Sequence, residues 1–213
     1  SGTIVRSGAH LYVEKGGTAS GSVIRTGGHE IVSSGGVAEA THVSGGALTI
    51  LAGATISGGL RVPRGSAVIS GAMAPGWATF IGSGGVLKLD NLAGFQGKIA
   101  GLSGTTRKLD LGGFAFSSGE TVSWTQSGAS GTLTVTDGAK VAKLTLIGNY
   151  AGAGFALAND GHGGTFVTDP TGPRLARFVQ AVAMDGGGSA APIGASHGSE
   201  PVSEPLIAAV KGS

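Results

Sequence analysis

The stretch from Val5 to Ser22 reads VRSGAHLYVEKGGTASGS, and its pattern returns nineteen residues later at 24–41 as IRTGGHEIVSSGGVAEAT. The shift aligns glycine pairs with glycine pairs and aliphatic residues with aliphatic residues. A third and looser copy continues to Gly59. A period near twenty residues is typical of repeats that each form one supersecondary unit and stack on their neighbours.

The runs between the glycine pairs are short and rich in Val and Ile, which favours strands over helices. The chain holds 43 glycines in 213 residues, and each glycine inside a helix costs about 1 kcal/mol relative to alanine. Strands that recur at this interval can stack as successive rungs about 4.8 Å apart. The repeats therefore predict an all-β fold, a parallel β-solenoid with about two strands in each repeat.

Stacking makes the equivalent positions of successive repeats neighbours in space. Aliphatic residues that recur at one position should then form ladders along the interior. Two such ladders are predicted, one of Val5, Ile24 and Val43 and one of Val13, Val32 and Ile50.

Period-two alternation around these ladders assigns the neighbouring side chains to the two faces of a strand. It places Leu11 and Leu48 inward and Tyr12, Ile31 and Thr49 outward. Glu30 interrupts the pattern because it falls between the two leucines. We expect either a local shift in register or a corner position at which the carboxylate reaches water.

The second half of the chain has longer strands that alternate more cleanly, such as 86–90 and 108–111. Segments 132–136 and 141–147 flank Asp137-Gly138 and predict a β-hairpin or a solenoid corner. The predicted organisation is glycine-rich solenoid repeats at 1–72, a junction at 73–80 and a solenoid continuation or capping module at 81–170. Residues 171–213 would form a short amphipathic helix and a flexible tail.

The helical tail offers a cap for the last rung. Segment 174–184 is free of glycine and carries an apolar stripe. We predict that Leu175, Phe178 and Val182 on this stripe cover the end of the stack. Residue 1 falls within a repeat, which indicates a fragment of a longer protein.

Composition excludes several classes of partner and site. The formal net charge is +2 and the basic residues are scattered singly, which disfavours nucleic-acid binding. The absence of cysteine excludes disulfides and thiolate metal sites. No apolar run approaches the roughly 18 residues of a membrane helix, so this chain is not predicted to insert into a membrane.

Two stacked histidines are the first candidate site. His10 and His29 occupy equivalent positions and are predicted to lie about 5 Å apart, a spacing that suits a shared metal. Ala47 takes the third position, so nothing completes the ligand set. The preferred interpretation is an outward histidine ladder, with no metal or cofactor.

Paired acids are the second candidate. Asp90 and Asp110 recur twenty residues apart beside Lys88 and Lys108, and two carboxylates at rung distance could share a proton or hold calcium. Polysaccharide-cleaving solenoids need such clustered acids. A solvated face of alternating strands would show the same four residues, so no catalytic residue is predicted.

Serines near the predicted corners are candidate O-glycosylation sites, with ordinary solvated turn serines as the preferred alternative. The candidates are Ser20, Ser22, Ser33, Ser34 and Ser44. Intact-mass measurement on protein from the native host distinguishes the two interpretations.

Four segments carry a resemblance to a known family. The rungs GGTASGSVI at 16–24 and GGHEIVSSGGVA at 27–38 resemble the nineteen-residue passenger repeats of AIDA-type autotransporter adhesins. Segments GSGGVLKL at 82–89 and NDGHGGTFVTDP at 159–170 look like the module that follows such repeats in many proteobacterial surface proteins. The resemblance covers about residues 1 to 170 and implies a right-handed parallel β-helix exported to the cell surface.

The predicted function is that of a structural or adhesive bacterial surface protein, a β-solenoid stalk that mediates adhesion or self-association. The expected partners are a host or abiotic surface, a polysaccharide or like copies of the chain, which would form a homo-oligomer. The expected location is extracellular or on the bacterial outer-membrane surface. Two alternatives stay open: a subunit of an extracellular filament or matrix, and a polysaccharide-acting β-helix enzyme.

Overall fold

A computed structural model describes residues 2–171. Its regular elements are seventeen strands. They are β1 Ile4–Val5, β2 His10–Val13, β3 Thr18–Ser20, β4 Val23–Arg25, β5 His29–Val32, β6 Val37–Ile50, β7 Thr55–Ile69, β8 Ala72–Met73, β9 Trp77–Thr79, β10 Gly85–Leu89, β11 Lys98–Ala100, β12 Gly104–Leu111, β13 Thr121–Ser127, β14 Ser130–Asp137, β15 Lys140–Ile147, β16 Ala156–Asn159 and β17 Thr165–Asp169. The helix predicted at 174–184 lies outside the described residues.

The strands stack in parallel into a β-solenoid of about six turns, as predicted. Each turn contributes to three sheets, which corrects the expectation of two strands per repeat. Sheet 1 joins β1, β4, the middle of β6 and of β7, β9, β11 and β15. Sheet 2 consists of β2, β5, the C-terminal ends of β6 and of β7, β10 and β12. Sheet 3 consists of β3, the N-terminal ends of β6 and of β7, and β8.

The register confirms both predicted ladders. Val5 pairs with Ile24 and Ile24 with Val43 in sheet 1, while Val13, Val32 and Ile50 follow one another in sheet 2. All six side chains are buried. The core is therefore a continuous aliphatic column enclosed by the three sheets, and each turn covers the apolar surface of the next.

Glycine at the corner between sheets 1 and 2 lets successive turns approach closely. A Cβ on Gly28 would lie 2.5 Å from the carbonyl oxygen of Val5, and one on Gly46 would lie 2.5 Å from that of Arg25. Any larger residue at these positions would push the rungs apart. The glycine pairs thus determine the rung spacing at this corner.

Antiparallel strands follow the parallel stack. Strands β13, β14 and β15 form a meander, and β15 joins it to sheet 1 by pairing in parallel with β11. The pairing of Asp137 with Lys140 confirms a hairpin at this point, with Gly138 at a positive φ in its two-residue turn. Strand β17 pairs antiparallel with β12, so a hairpin of β16 and β17 covers the edge of sheet 2.

Candidate functional site

A groove of about 640 Å³ crosses the corner between sheets 3 and 1. We call it the Trp77 groove. Its volume lies within the range of ligand-binding clefts. It is lined by Gly21, Val23, Ala40, Thr41, His42, Gly58, Gly59, Leu60, Arg61, Gly76, Trp77 and Thr79.

The groove exists because small residues recur at one corner position. Pairing of Thr41 with Leu60 and of Leu60 with Ala78 makes the residues just before them equivalent, namely Ala40, Gly59 and Trp77. Alanine and glycine leave a recess, and Trp77 on the next turn lines it. Ala40 has φ of 51°, and it is the one non-glycine residue at positive φ among those that the structure describes.

A row of outward side chains, polar except for Val23, lies beside this recess on sheet 1. Val23, His42, Arg61 and Thr79 follow one another in register on four successive turns. Arg61 is exposed, and no carboxylate of residues 2–171 lies within ion-pair distance of it. Trp77 is 53% exposed, and Lys98 takes the equivalent position on the next turn. The groove thus presents an aromatic ring and a cation to the solvent.

The predicted acid pair belongs to a second assembly, which we call the Lys88 cluster, made of Lys88, Asp110 and Asp160. Lys88 pairs with Asp110 in register, and its Nζ lies 3.7 Å from Asp110 Oδ2 and 3.5 Å from Asp160 Oδ2. Asp160 Oδ1 accepts hydrogen bonds from the backbone N–H groups of His162 and Gly164. The cluster therefore fixes the turn between β16 and β17 against sheet 2.

Charge pairing shifts the titration of this cluster. Burial opposes the charge of Lys88, but the carboxylates of Asp110, Asp90 and Asp160 outweigh it and raise the lysine pKa. Burial raises the pKa of Asp110 although Lys88 opposes the rise. Burial also disfavours ionised Asp160, but hydrogen bonds from His162 and Gly164 together with Lys88 lower its pKa. The two acids that face Lys88 therefore have pKa values shifted in opposite directions.

The other residues of the predicted acid pair have separate partners. Asp90 accepts a hydrogen bond of 2.7 Å from the Ser70 hydroxyl, and the ammonium of Lys108 lies 4.5 Å from the centre of the Phe166 ring. Sequence reasoning missed Asp160 as the third member of the cluster. Its Asn-Asp-Gly context indicates a turn, but only the antiparallel return of β17 brings that turn to Lys88.

The predicted histidine ladder is present. The His10 and His29 rings stack with centroids 4.9 Å apart, and Tyr12 stacks on His10 at 5.9 Å. Ala47 follows His29 in register, as expected. Within residues 2–171 no group of three or more His, Cys, Asp and Glu residues could hold a metal ion.

Glu30 contradicts both expectations for it. The register is regular, since Glu30 lies between Leu11 and Leu48, and the side chain is fully buried rather than at the solvent. Burial raises its pKa to about 7, and the nearby Ser22 hydroxyl offsets part of that rise without meeting hydrogen-bond geometry. The interior of sheet 2 therefore holds a carboxyl group that is partly protonated at neutral pH.

The candidate glycosylation serines differ in their exposure to solvent. Ser34 is exposed and Ser20, Ser33 and Ser44 are half-buried. Ser22 is fully buried and faces the core, which corrects its assignment to an accessible corner. The predicted cap residues Leu175, Phe178 and Val182 lie outside the described residues.

Comparison with models of protein families, with characterised proteins and with solved structures finds no match for this chain. Among residues 2–171, no helix has the length and apolar character needed to cross a membrane.

Proposed function

We propose that this chain is a β-solenoid stalk of a bacterial surface protein and that it mediates adhesion or self-association. The observation that carries the proposal is the Trp77 groove, where an exposed indole ring and an exposed arginine lie on neighbouring turns. Exposed aromatic and arginine side chains are the types enriched where proteins bind their partners. The stacked turns supply a scaffold that holds this surface in place.

The Lys88 cluster supports a structural role better than a catalytic one. Asp110 is 5% exposed beneath the antiparallel hairpin, and both acids of the cluster face the same lysine. A polysaccharide-acting enzyme would need two carboxyl groups that reach opposite sides of a bound sugar. That alternative, like the filament subunit, stays a prediction.

Adhesion of beads that carry the purified chain tests the proposal. We expect such beads to be retained on polysaccharide-coated surfaces or to aggregate with one another more than beads without protein. Trp77→Ala should reduce the effect, whereas Tyr12→Ala, which removes an exposed ring on sheet 2, should not. Beads that neither adhere nor aggregate above the background would overturn the proposal.

A further inference from the structure

The Trp77 groove has a cation in its wall. Arg61 lines the groove, and Lys98 takes the position equivalent to Trp77 on the next turn. No carboxylate of residues 2–171 lines the groove, but Glu39 adjoins it, since a Cβ on the lining residue Gly58 would lie 3.1 Å from Glu39 Cγ. An anionic ligand would therefore meet attraction at Arg61, and Lys98 on the next turn adds to it.

The groove is also elongated. It spans the corner on four successive turns, and three rung spacings of about 4.8 Å give about 14 Å. A recess of that length accommodates a chain of linked rings better than a single small molecule. The small residues Ala40 and Gly59 leave the backbone close to whatever occupies it.

The lining side chains match a polyhydroxylated, acidic ligand. The flat indole face of Trp77 can cover the apolar side of a sugar ring, and its N–H can donate a hydrogen bond. The guanidinium of Arg61 pairs with a carboxylate through two parallel hydrogen bonds. His42 and Thr79 flank Arg61 in register and offer hydrogen-bonding groups to hydroxyls.

Other classes of ligand fit less well. An extended peptide binds by adding a strand to a free edge, but the backbone beside the groove is already paired between turns, for example by the His42 N–H and the Ser22 carbonyl at 2.8 Å. A nucleic acid needs a broad basic surface, whereas this chain has a net charge of +2.

We infer that the Trp77 groove binds an acidic polysaccharide, with Arg61 holding the anionic group and Trp77 stacking on a sugar ring. The inference rests on the proposed adhesive function and names the ligand class of its surface. The anionic group is a carboxylate in a uronic-acid polymer or a sulfate ester in a sulfated one. Both would occupy the same position against the guanidinium.

Calorimetric titration of the purified chain with three probes tests the assignment. The probes are an oligogalacturonate, a heparin-derived sulfated oligosaccharide and a neutral dextran oligosaccharide of similar length. We expect one or both anionic probes to bind at least about tenfold more tightly than the neutral probe. Added salt should weaken that binding, because the guanidinium is exposed.

Matched variants locate the site. Arg61→Gln should reduce anionic binding at least about tenfold, whereas Arg64→Gln should not, since Arg64 is exposed but does not line the groove. Gly76→Leu should block the groove in a folded protein. A Cβ there has its nearest neighbour at 3.7 Å, and Gly76 does not adopt a positive φ.

The outcomes separate this inference from the proposed function. Equal binding of the neutral probe, or anionic binding that survives both Arg61→Gln and Gly76→Leu, overturns the assignment of an acidic ligand to this groove. If none of the probes binds while protein-coated beads still adhere or aggregate, the inference is wrong and the adhesive function stands. Loss of anionic binding in both variants, with Arg64→Gln unchanged, supports the inference.

Discussion

Glu30 and Asp110 are both buried acids of sheet 2, but they differ in what surrounds them. Glu30 lies in the inward row between Leu11 and Leu48, and neither carboxylate oxygen has a hydrogen bond. Asp110 lies in the outward row beside Lys88, against the turn between β16 and β17 that carries Asp160 and Gly164. One acid is isolated in the core and the other has a cation beside it.

A solenoid accommodates charge differently in its inward and outward rows. An inward position has the same ladder above and below it, so a single acid in one turn meets aliphatic neighbours. An outward position becomes buried when another element covers it, and that element can bring polar groups of its own, as the Asp160 turn does at Lys88. An inward charge therefore lowers stability, whereas a buried outward charge can hold the element that covers it in place.

The largest effect is expected for Lys88→Met. This change leaves Asp110 and Asp160 without their cation, and removing one partner of a buried pair is strongly destabilising. Urea unfolding measures the loss. Lys143→Met, at an exposed position of β15, is the control and should change stability by less than about 0.5 kcal/mol. An equally small loss of stability in Lys88→Met would show that the Lys88 cluster does not hold the turn between β16 and β17 in place.

Glu30→Leu should stabilise the protein, since leucine continues the ladder of Leu11 and Leu48. The folded-state pKa of about 7 lies above the ordinary glutamate value of 4.5, so ionisation at pH 8 costs the folded state about 3 kcal/mol. We expect a gain of that order at pH 8 in urea unfolding. Glu14→Leu at an exposed position is the control, and equal stability of Glu30→Leu and the parent at pH 8 would contradict the prediction.

Stability should also depend on pH through Glu30. Glu30 binds its proton more tightly in the folded protein than in the unfolded chain. Its contribution to the free energy of unfolding is therefore largest below about pH 4.5 and is lost as the pH rises through 7. The slope is at most about 1.4 kcal/mol per pH unit. The raised pKa values of Asp110 and Glu120 act in the same direction.

Unfolding midpoints measured between pH 4.5 and 8 test this dependence, with Glu30→Gln as the comparison. The variant should flatten the curve, because glutamine does not titrate. A curve of unchanged slope would place the pH dependence in other groups.

The smallest effect is expected for Thr41→Val. The Thr41 hydroxyl is buried without a hydrogen bond, and Leu60 takes the equivalent place in the next turn. Removal of an unsatisfied hydroxyl in a side chain of the same shape should stabilise by about 1 kcal/mol. A rise in the thermal midpoint of about 2–4 °C would be consistent with this. Thr49→Val, at a half-buried outward position, is the control and should not raise the midpoint.

Much of the parallel stack could be predicted from the sequence. The nineteen-residue shift aligns Val5 with Ile24 and His10 with His29, and the structure pairs both. Periodicity identifies these neighbours because each turn repeats the same path. It did not reveal three sheets per turn, since β6 and β7 continue around corners without an interruption that the sequence marks.

The Trp77 groove and the third member of the Lys88 cluster escaped prediction for a different reason. The groove depends on the small size of Ala40 and Gly59, which a sequence pattern indicates only as turn residues. The Lys88 cluster depends on Asp160, about seventy residues from Lys88 in the chain, and no repeat relates the two. Periodicity predicts contacts between equivalent positions of neighbouring turns, and the contact between Lys88 and Asp160 is not of that kind.

The antiparallel meander of β13 to β15 has a consequence for the order of folding. Its strands join residues a few positions apart across two-residue turns, whereas each new rung must close a loop of about nineteen residues. Local closure loses less chain entropy before its contacts form. We expect amide protection to appear first in the meander and then to spread rung by rung toward Ile4, so that the meander templates the turns that precede it in the chain.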